Sequence, residues 1–195
     1  PLMAEGLVLP YLDIPFQHLD TEMLRLMKRP ALRGHPMRLV ETIRAAVPGI
    51  ALRTTMIAGF PGETPAMHRR MLDGMRQLRF DWLGAFPYSP EEDTAAAGLP
   101  RPVRPATRQR RWEAVMETQA AITFARNRDR IGSRCRVLVE KFDEERGQWR
   151  GRTPYQAPDV DGCVYLEGNA PLRPGLFVEA EIIAAEHYDL TARIL

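Results

Sequence analysis

The chain is most tightly constrained by Ile50-Ala51-Leu52-Arg53-Thr54-Thr55-Met56-Ile57-Ala58, an apolar and β-branched run that ends in Gly59-Phe60-Pro61-Gly62 and opens onto Glu63-Thr64-Pro65. Such a run suits a strand buried in a helix-covered parallel sheet. The Gly/Pro pair forces a sharp turn. Thr64-Pro65 then marks a helix start, a hydroxyl cap followed by the residue whose missing N–H is not needed in a first turn. Strand, turn and helix N-terminus together present backbone donors at the carboxyl end of a strand, where α/β proteins hold ligands. The same pattern also serves in plain βα turns, and spacing alone does not choose between the two.

With 45% hydrophobic residues, 195 residues suffice for one or two domains with a real core. No apolar stretch approaches the ~18 residues of a membrane span. The opening Pro1-Leu2-Met3-Ala4-Glu5-Gly6 has no basic segment or cleavage signal, so a cytoplasmic location is expected. The chain enters its first strand almost at once, and a fragment of a longer protein is the expectation. Cys135 and Cys163 are too few for a disulfide framework and too far apart for a cysteine metal motif, so both are expected as reduced thiols. Charge is uneven. Residues 1–132 hold 19 Lys/Arg against 14 Asp/Glu, a surplus of five, while the remainder holds 8 against 11, a deficit of three.

Val8 to Ile14 reads as a first strand, followed by Pro15-Phe16-Gln17-His18, and Asp20 can cap a short helix carrying Met23, Leu24 and Met27. A second helix is expected from Pro36 to Val47, with Leu39, Val40, Ile43, Ala46 and Val47 on one side, stopped by Pro48-Gly49. The central strand follows, then a helix from Pro65 to about Arg79. Its Met67, Met71, Met75 and Leu78 recur at helical spacing, which is core packing rather than a cofactor box. Trp82 to Phe86 is a third strand. Three strands separated by helices imply parallel crossovers and about half of a barrel, whose open edges further strands would cover. After a Pro-, Ala- and acid-rich loop, Pro87 to Pro105, a long helix runs from about Ala106 to Arg130. Its arginines, among them Arg108, Arg110 and Arg111, can touch nucleic acid, but a solvated face is the preferred expectation. From Arg134 the period becomes two, and five short strands punctuated by Gly147, Gly168 and Pro174-Gly175 suggest a small antiparallel barrel of the OB type.

Four of these stretches, Tyr11-Leu12-Asp13-Ile14-Pro15-Phe16-Gln17-His18, Leu26-Met27-Lys28-Arg29, Arg53 to Thr64 and Tyr88-Ser89-Pro90-Glu91-Glu92-Asp93-Thr94, resemble the carboxyl half of the radical S-adenosylmethionine (SAM) methylthiotransferases. The terminal barrel resembles that family's TRAM domain. The resemblance implies a partial, half TIM-like radical SAM barrel over residues 1–132 and an OB-like TRAM domain over 133–195. Pro15-Phe16-Gln17-His18, Glu91-Glu92 and Tyr155 to Gly162 are similar to the ribosomal branch, the RimO-type enzymes that methylthiolate an aspartate of a small-subunit ribosomal protein. The branch that modifies a tRNA adenosine usually has Pro-x-Gln-Ser-Gly-Ser in the first motif. An acidic barrel independently suits a basic ribosomal protein better than tRNA, because tRNA affinity rests on Lys/Arg against phosphate. A tRNA enzyme and a non-catalytic RNA- or protein-binding module stand as alternatives.

The family reaction uses SAM and two four-iron, four-sulfur clusters, each held by three cysteine thiolates. Neither set occurs in this sequence, so no metal ligand or catalytic residue is assigned and the chain alone is expected to be inactive. His18, His35, His68 and His187 are likewise given no metal. What the resemblance leaves is one wall of the cofactor site: Gln17, Arg53, Thr55, Gly59, Pro61, Glu63, Phe86 and Tyr88. Arg53 can fork onto a carboxylate, and Gln17 can reach the ribose or amino-acid end. Against these stand Arg53 as an ion pair with Asp13, Gln17 as a turn former and Tyr88 as packing.

Overall fold

The computed structural model describes residues 2–3, 5–29 and 36–195. It divides into two compact units, one of Leu12–Gln119, the other of Ala120–Leu195 with the residues up to Tyr11. His35 lies outside the described residues.

The first unit is built on a three-stranded sheet in the order β1 (Tyr11–Asp13), β2 (Ala51–Ala58), β3 (Trp82–Pro87). Helices α1 (Thr21–Leu26) and α2 (Pro36–Ala46) precede β2, and α3 (Pro65–Leu78) precedes β3. β2 and β3 run parallel with Arg53 opposite Trp82 and Ile57 opposite Phe86. The first strand is shorter than the expected Val8 to Ile14. Leu7, Val8 and Leu9 are exposed, the N–H groups of Leu7 and Val8 turn back to the Leu2 carbonyl, and Pro10 has no N–H to give a ladder. Beyond β1 the pairing resumes at Gln17, whose N–H donates to the Thr55 carbonyl at 2.8 Å and whose carbonyl accepts from Ile57 N–H at 2.9 Å. The Thr54 hydroxyl bridges the interruption between them, donating to the Ile14 carbonyl at 2.8 Å and accepting from Phe16 N–H at 3.3 Å.

Leu52, Thr54, Met56 and Ala58 of β2 are buried on the helix side of the sheet. The α3 stripe Met67, Met71, Met75 and Leu78 is buried as well, so the methionines fill core. Thr64 caps α3 by accepting from Met67 N–H at 3.2 Å, and Asp20 caps α1 through Glu22 and Met23 N–H at 3.1 and 3.0 Å. In α2 the expected stripe is narrower: Val40 is buried, but Leu39 and Ala46 are exposed.

Helix α4 (Pro105–Arg128) has its residues up to Gln119 in the first unit and those from Ala120 in the second. The second unit also contains β4 (Arg134–Asp143), β5 (Gln148–Arg152), β6 (Val164–Glu167), β7 (Phe177–Ala185) and β8 (Leu190–Ile194), which close into a barrel in the order β4-β5-β6-β8-β7. Val137, Val139, Val164, Leu166, Ala180, Ile182, Leu190 and Ala192 fill it. The expectation of a wholly antiparallel barrel needs one correction, because β6 and β8 pair parallel. Strands that alternate in direction cannot close a ring of five, so one pairing must be parallel. Gly151 sits where the β4–β5 register shifts, and a Cβ there would lie 2.2 Å from the Leu138 carbonyl oxygen.

Candidate cofactor wall in the first unit

Parallel pairing brings the segments that follow the three strands, Gln17-His18, Gly59 to Glu63 and Tyr88, to one end of the sheet. The face opposite the helices carries Arg53, Thr55 and Ile57 from β2 and Gly84 and Phe86 from β3, which the period of two and the parallel register put on one side. Phe86 is exposed, and Arg53, Thr55, Ile57 and Gly84 are half-buried. Arg53 donates to Asp13 at 2.6 Å, the ion pair anticipated from sequence as the rival to ligand binding. Gln17 stands at the end of this face with φ of +70°, uncommon for a residue with a Cβ.

Glu63 is placed otherwise. Its carboxylate is buried at 4% exposure and surrounded by the protein's own groups. Gly59 N–H and Arg111 meet Oε2, Arg111 at 3.2 Å. His68 Nδ1 lies 3.1 Å and His18 Nε2 3.7 Å from Oε1. Arg111 also donates to the Glu63 carbonyl at 2.8 Å. Burial pushes the Glu63 carboxyl up, but His18, His68 and Arg111 outweigh it and bring it down to about 2. Asp20 N–H donates to His18 Nδ1 at 2.9 Å, which turns Nε2 toward Glu63, where at 3.7 Å it makes no hydrogen bond. For Asp20 itself, burial is outweighed by the Met23 N–H and by Arg70, 2.6 Å away, and its carboxyl is lowered.

Two arginines of α4 depart from both sequence expectations, while Arg110 and Arg128 are exposed as the preferred one had it. Arg111 is buried on Glu63, and Arg108 is half-buried, donating to the carbonyls of Val103 at 2.9 Å and Tyr88 at 2.7 Å. A helix face of charges at i and i+3 is solvated only if nothing beneath it needs a counter-charge, and here a buried carboxylate and strand-end carbonyls do. The Arg108 stem occupies the space of the missing Gly59 side chain: at φ of +78°, a Cβ on Gly59 would lie 2.3 Å from Arg108 Cγ. Glycine here admits an arginine. Tyr88 packs edge-on to Phe60, with centroids 5.1 Å apart. Pro61 instead lines a cleft of about 470 Å³ with Glu22, Leu26, Met67 and Arg101, on the helix side of the turn.

The His18, His68, Arg111 network escaped the sequence because its members are far apart in the chain. One signal existed, an acidic residue directly before a helix cap. Among the described residues no group of three or more His, Cys, Asp or Glu side chains could hold a metal ion. Both cysteines are free thiols in the second unit; burial raises both, Cys163 to about 11. In that unit Gln156 fastens a loop, accepting from Thr153 N–H at 2.9 Å and donating to the Gly162 carbonyl at 2.7 Å, and Arg130 stacks on Tyr155 at 4.7 Å. No helix among the described residues is long and apolar enough to cross a membrane.

Residues 131–195 match the TRAM domain. Over 189 residues, 97% of its length, the chain is 43% identical to a protein of Bordetella pertussis named ribosomal protein uS12 methylthiotransferase RimO, of which it covers 43%. Proteins of the same name from Thiobacillus denitrificans and Desulforamulus reducens are 44% and 40% identical over 98% and 94% of the chain, covering 43% and 42% of their own lengths. Over that shared segment the chain is similar to these proteins. The chain thus spans less than half the length of these methylthiotransferases. The closed five-stranded barrel falls within the TRAM match.

Proposed function

We propose that the chain is the carboxyl-terminal portion of a cytoplasmic radical SAM methylthiotransferase that acts on an aspartate of a small-subunit ribosomal protein. Residues 1–132 form half of the radical barrel and residues 133–195 the docking domain. The observation that carries this is a parallel sheet with Arg53, Thr55, Gly84 and Phe86 on one side and three strand-end segments gathered at its rim, in a chain that is 40–44% identical to the enzymes named above.

The chain's own residues fit one wall of a SAM site. Arg53, ion-paired with Asp13, has its guanidinium on this face, Gln17 an amide at its end, and Thr55, Phe86 and the backbones near Gly59 and Tyr88 complete the lining. Glu63 acts behind that wall, since its oxygens are used internally. The iron–sulfur clusters do not fit this chain, because its two thiols lie in the barrel and both are held protonated by burial. The residues described here would hold and orient SAM. On this reading the isolated chain binds SAM weakly and is inactive alone. Micromolar affinity by calorimetry would contradict that.

The acidic barrel is the docking surface for the basic ribosomal protein. A salt titration tests it: weak, salt-insensitive retention of tRNA together with binding of the ribosomal protein is expected. A steep salt dependence with tRNA and no affinity for the protein would favour the tRNA branch instead.

A further inference from the structure

The loop after β1 and the turn after β2 share one buried carboxylate. Glu63 Oε2 takes Gly59 N–H and Arg111, and Oε1 faces His68 at 3.1 Å and His18 at 3.7 Å. His18 is fully buried and held from its other side by Asp20 N–H. It directly follows Gln17, whose φ of +70° persists only where its surroundings over-determine it. The strand bonds of Gln17 to Thr55 and Ile57 fix one side of that residue. On the other side the buried His18 ring is held by Asp20 N–H and packs within 3.7 Å of Glu63 without a hydrogen bond to it. We propose that Glu63 and His18 are positioning residues that lock the Gln17-His18 loop and the Gly59 to Glu63 turn into a single unit, so that both rims of the open sheet face are set together. Neither side chain is available to a ligand, so their influence on one is indirect. The consequence for SAM rests on the reading given under Proposed function; the coupling does not.

Hydrogen exchange on the chain tests the coupling with two variants. Glu63→Gln should speed exchange about tenfold in peptides covering both 16–20 and 59–63, while the barrel is unchanged. His18→Asn keeps an acceptor for Asp20 N–H but withdraws the ring from Glu63, and it should loosen 59–63, remote in sequence from the substitution. If Glu63→Gln fails to fold, His18→Asn decides alone. Loosening of 59–63 only in Glu63→Gln, or an unchanged 59–63 in His18→Asn, overturns the proposal. In the full-length enzyme His18→Asn should raise the SAM KM about tenfold with kcat held within about twofold, the split expected of lost positioning in the ground state. Coupled loosening with an unchanged KM would sustain the coupling and sink the cofactor wall instead.

Discussion

Glu63 makes the stability of the first unit depend on acid in a way that can be calculated. Its carboxyl lies at about 2 in the folded protein against an ordinary 4.5. That gap corresponds to about 3 kcal/mol, using about 1.4 kcal/mol per tenfold change in proton affinity. Because the folded value is the lower one, the stabilisation is complete above about pH 4.5 and is lost as pH falls through about 2, below which both states are protonated. The comparison variant is Glu63→Gln, which keeps an oxygen for Gly59 N–H but cannot ionise. It should be less stable than the parent near neutrality, since buried Arg111 loses its counter-charge. The gap between the two should then close in acid. Urea unfolding from about pH 6 to about pH 2, followed through Trp82 and Trp112 in a Trp149→Phe background, reads the first unit without the barrel tryptophan. The parent should lose about 3 kcal/mol more than Glu63→Gln across this range. Curves that stay parallel within about 0.5 kcal/mol would refute the argument.

Gly59→Ala should cost about 2 kcal/mol or more in denaturant melts, from a side chain at positive φ and a collision with Arg108. Adding Arg108→Ala should recover only part of it, because Arg108 Cβ itself lies 2.9 Å from the added methyl. Met75→Ala, at a fully buried position, should cost about 2–5 kcal/mol, whereas Leu39→Ala on the exposed side of α2 should stay within about 1 kcal/mol; urea midpoints separate them. Cys163, raised to about 11 by burial, should react with iodoacetamide near pH 8 much more slowly than free cysteine at about 8.5, and mass spectrometry showing equal rates would count against its buried setting.

Much of the secondary structure was legible in the residues because local chemistry decides it. Asp20 and Thr64-Pro65 start helices through their own side chains, and the methionines of α3 recur at a spacing that only a helix face can bury. The alternation in the last third similarly specified five barrel strands, all of which occur. Where the expectations failed, the deciding partner was remote in sequence. The first strand shrank because its neighbours did not pair with it, and α2 kept only part of its apolar stripe against the core. The parallel β6–β8 pairing follows from closing an odd ring, a condition of the whole barrel that no single strand encodes.

The stretch from Ile50 to Thr64 shows the same division most clearly. Its composition by itself determined a buried strand, a glycine turn and a capped helix, since strand burial, positive φ and capping are satisfied within a few residues. What the turn holds was decided only by tertiary structure. Arg108 fills the space Gly59 leaves, and Arg111 and His18 converge on Glu63 from remote segments of the chain, joined by His68 from the first turn of α3. A buried carboxylate must find counter-charges wherever folding brings them, and sequence distance carries no record of that meeting.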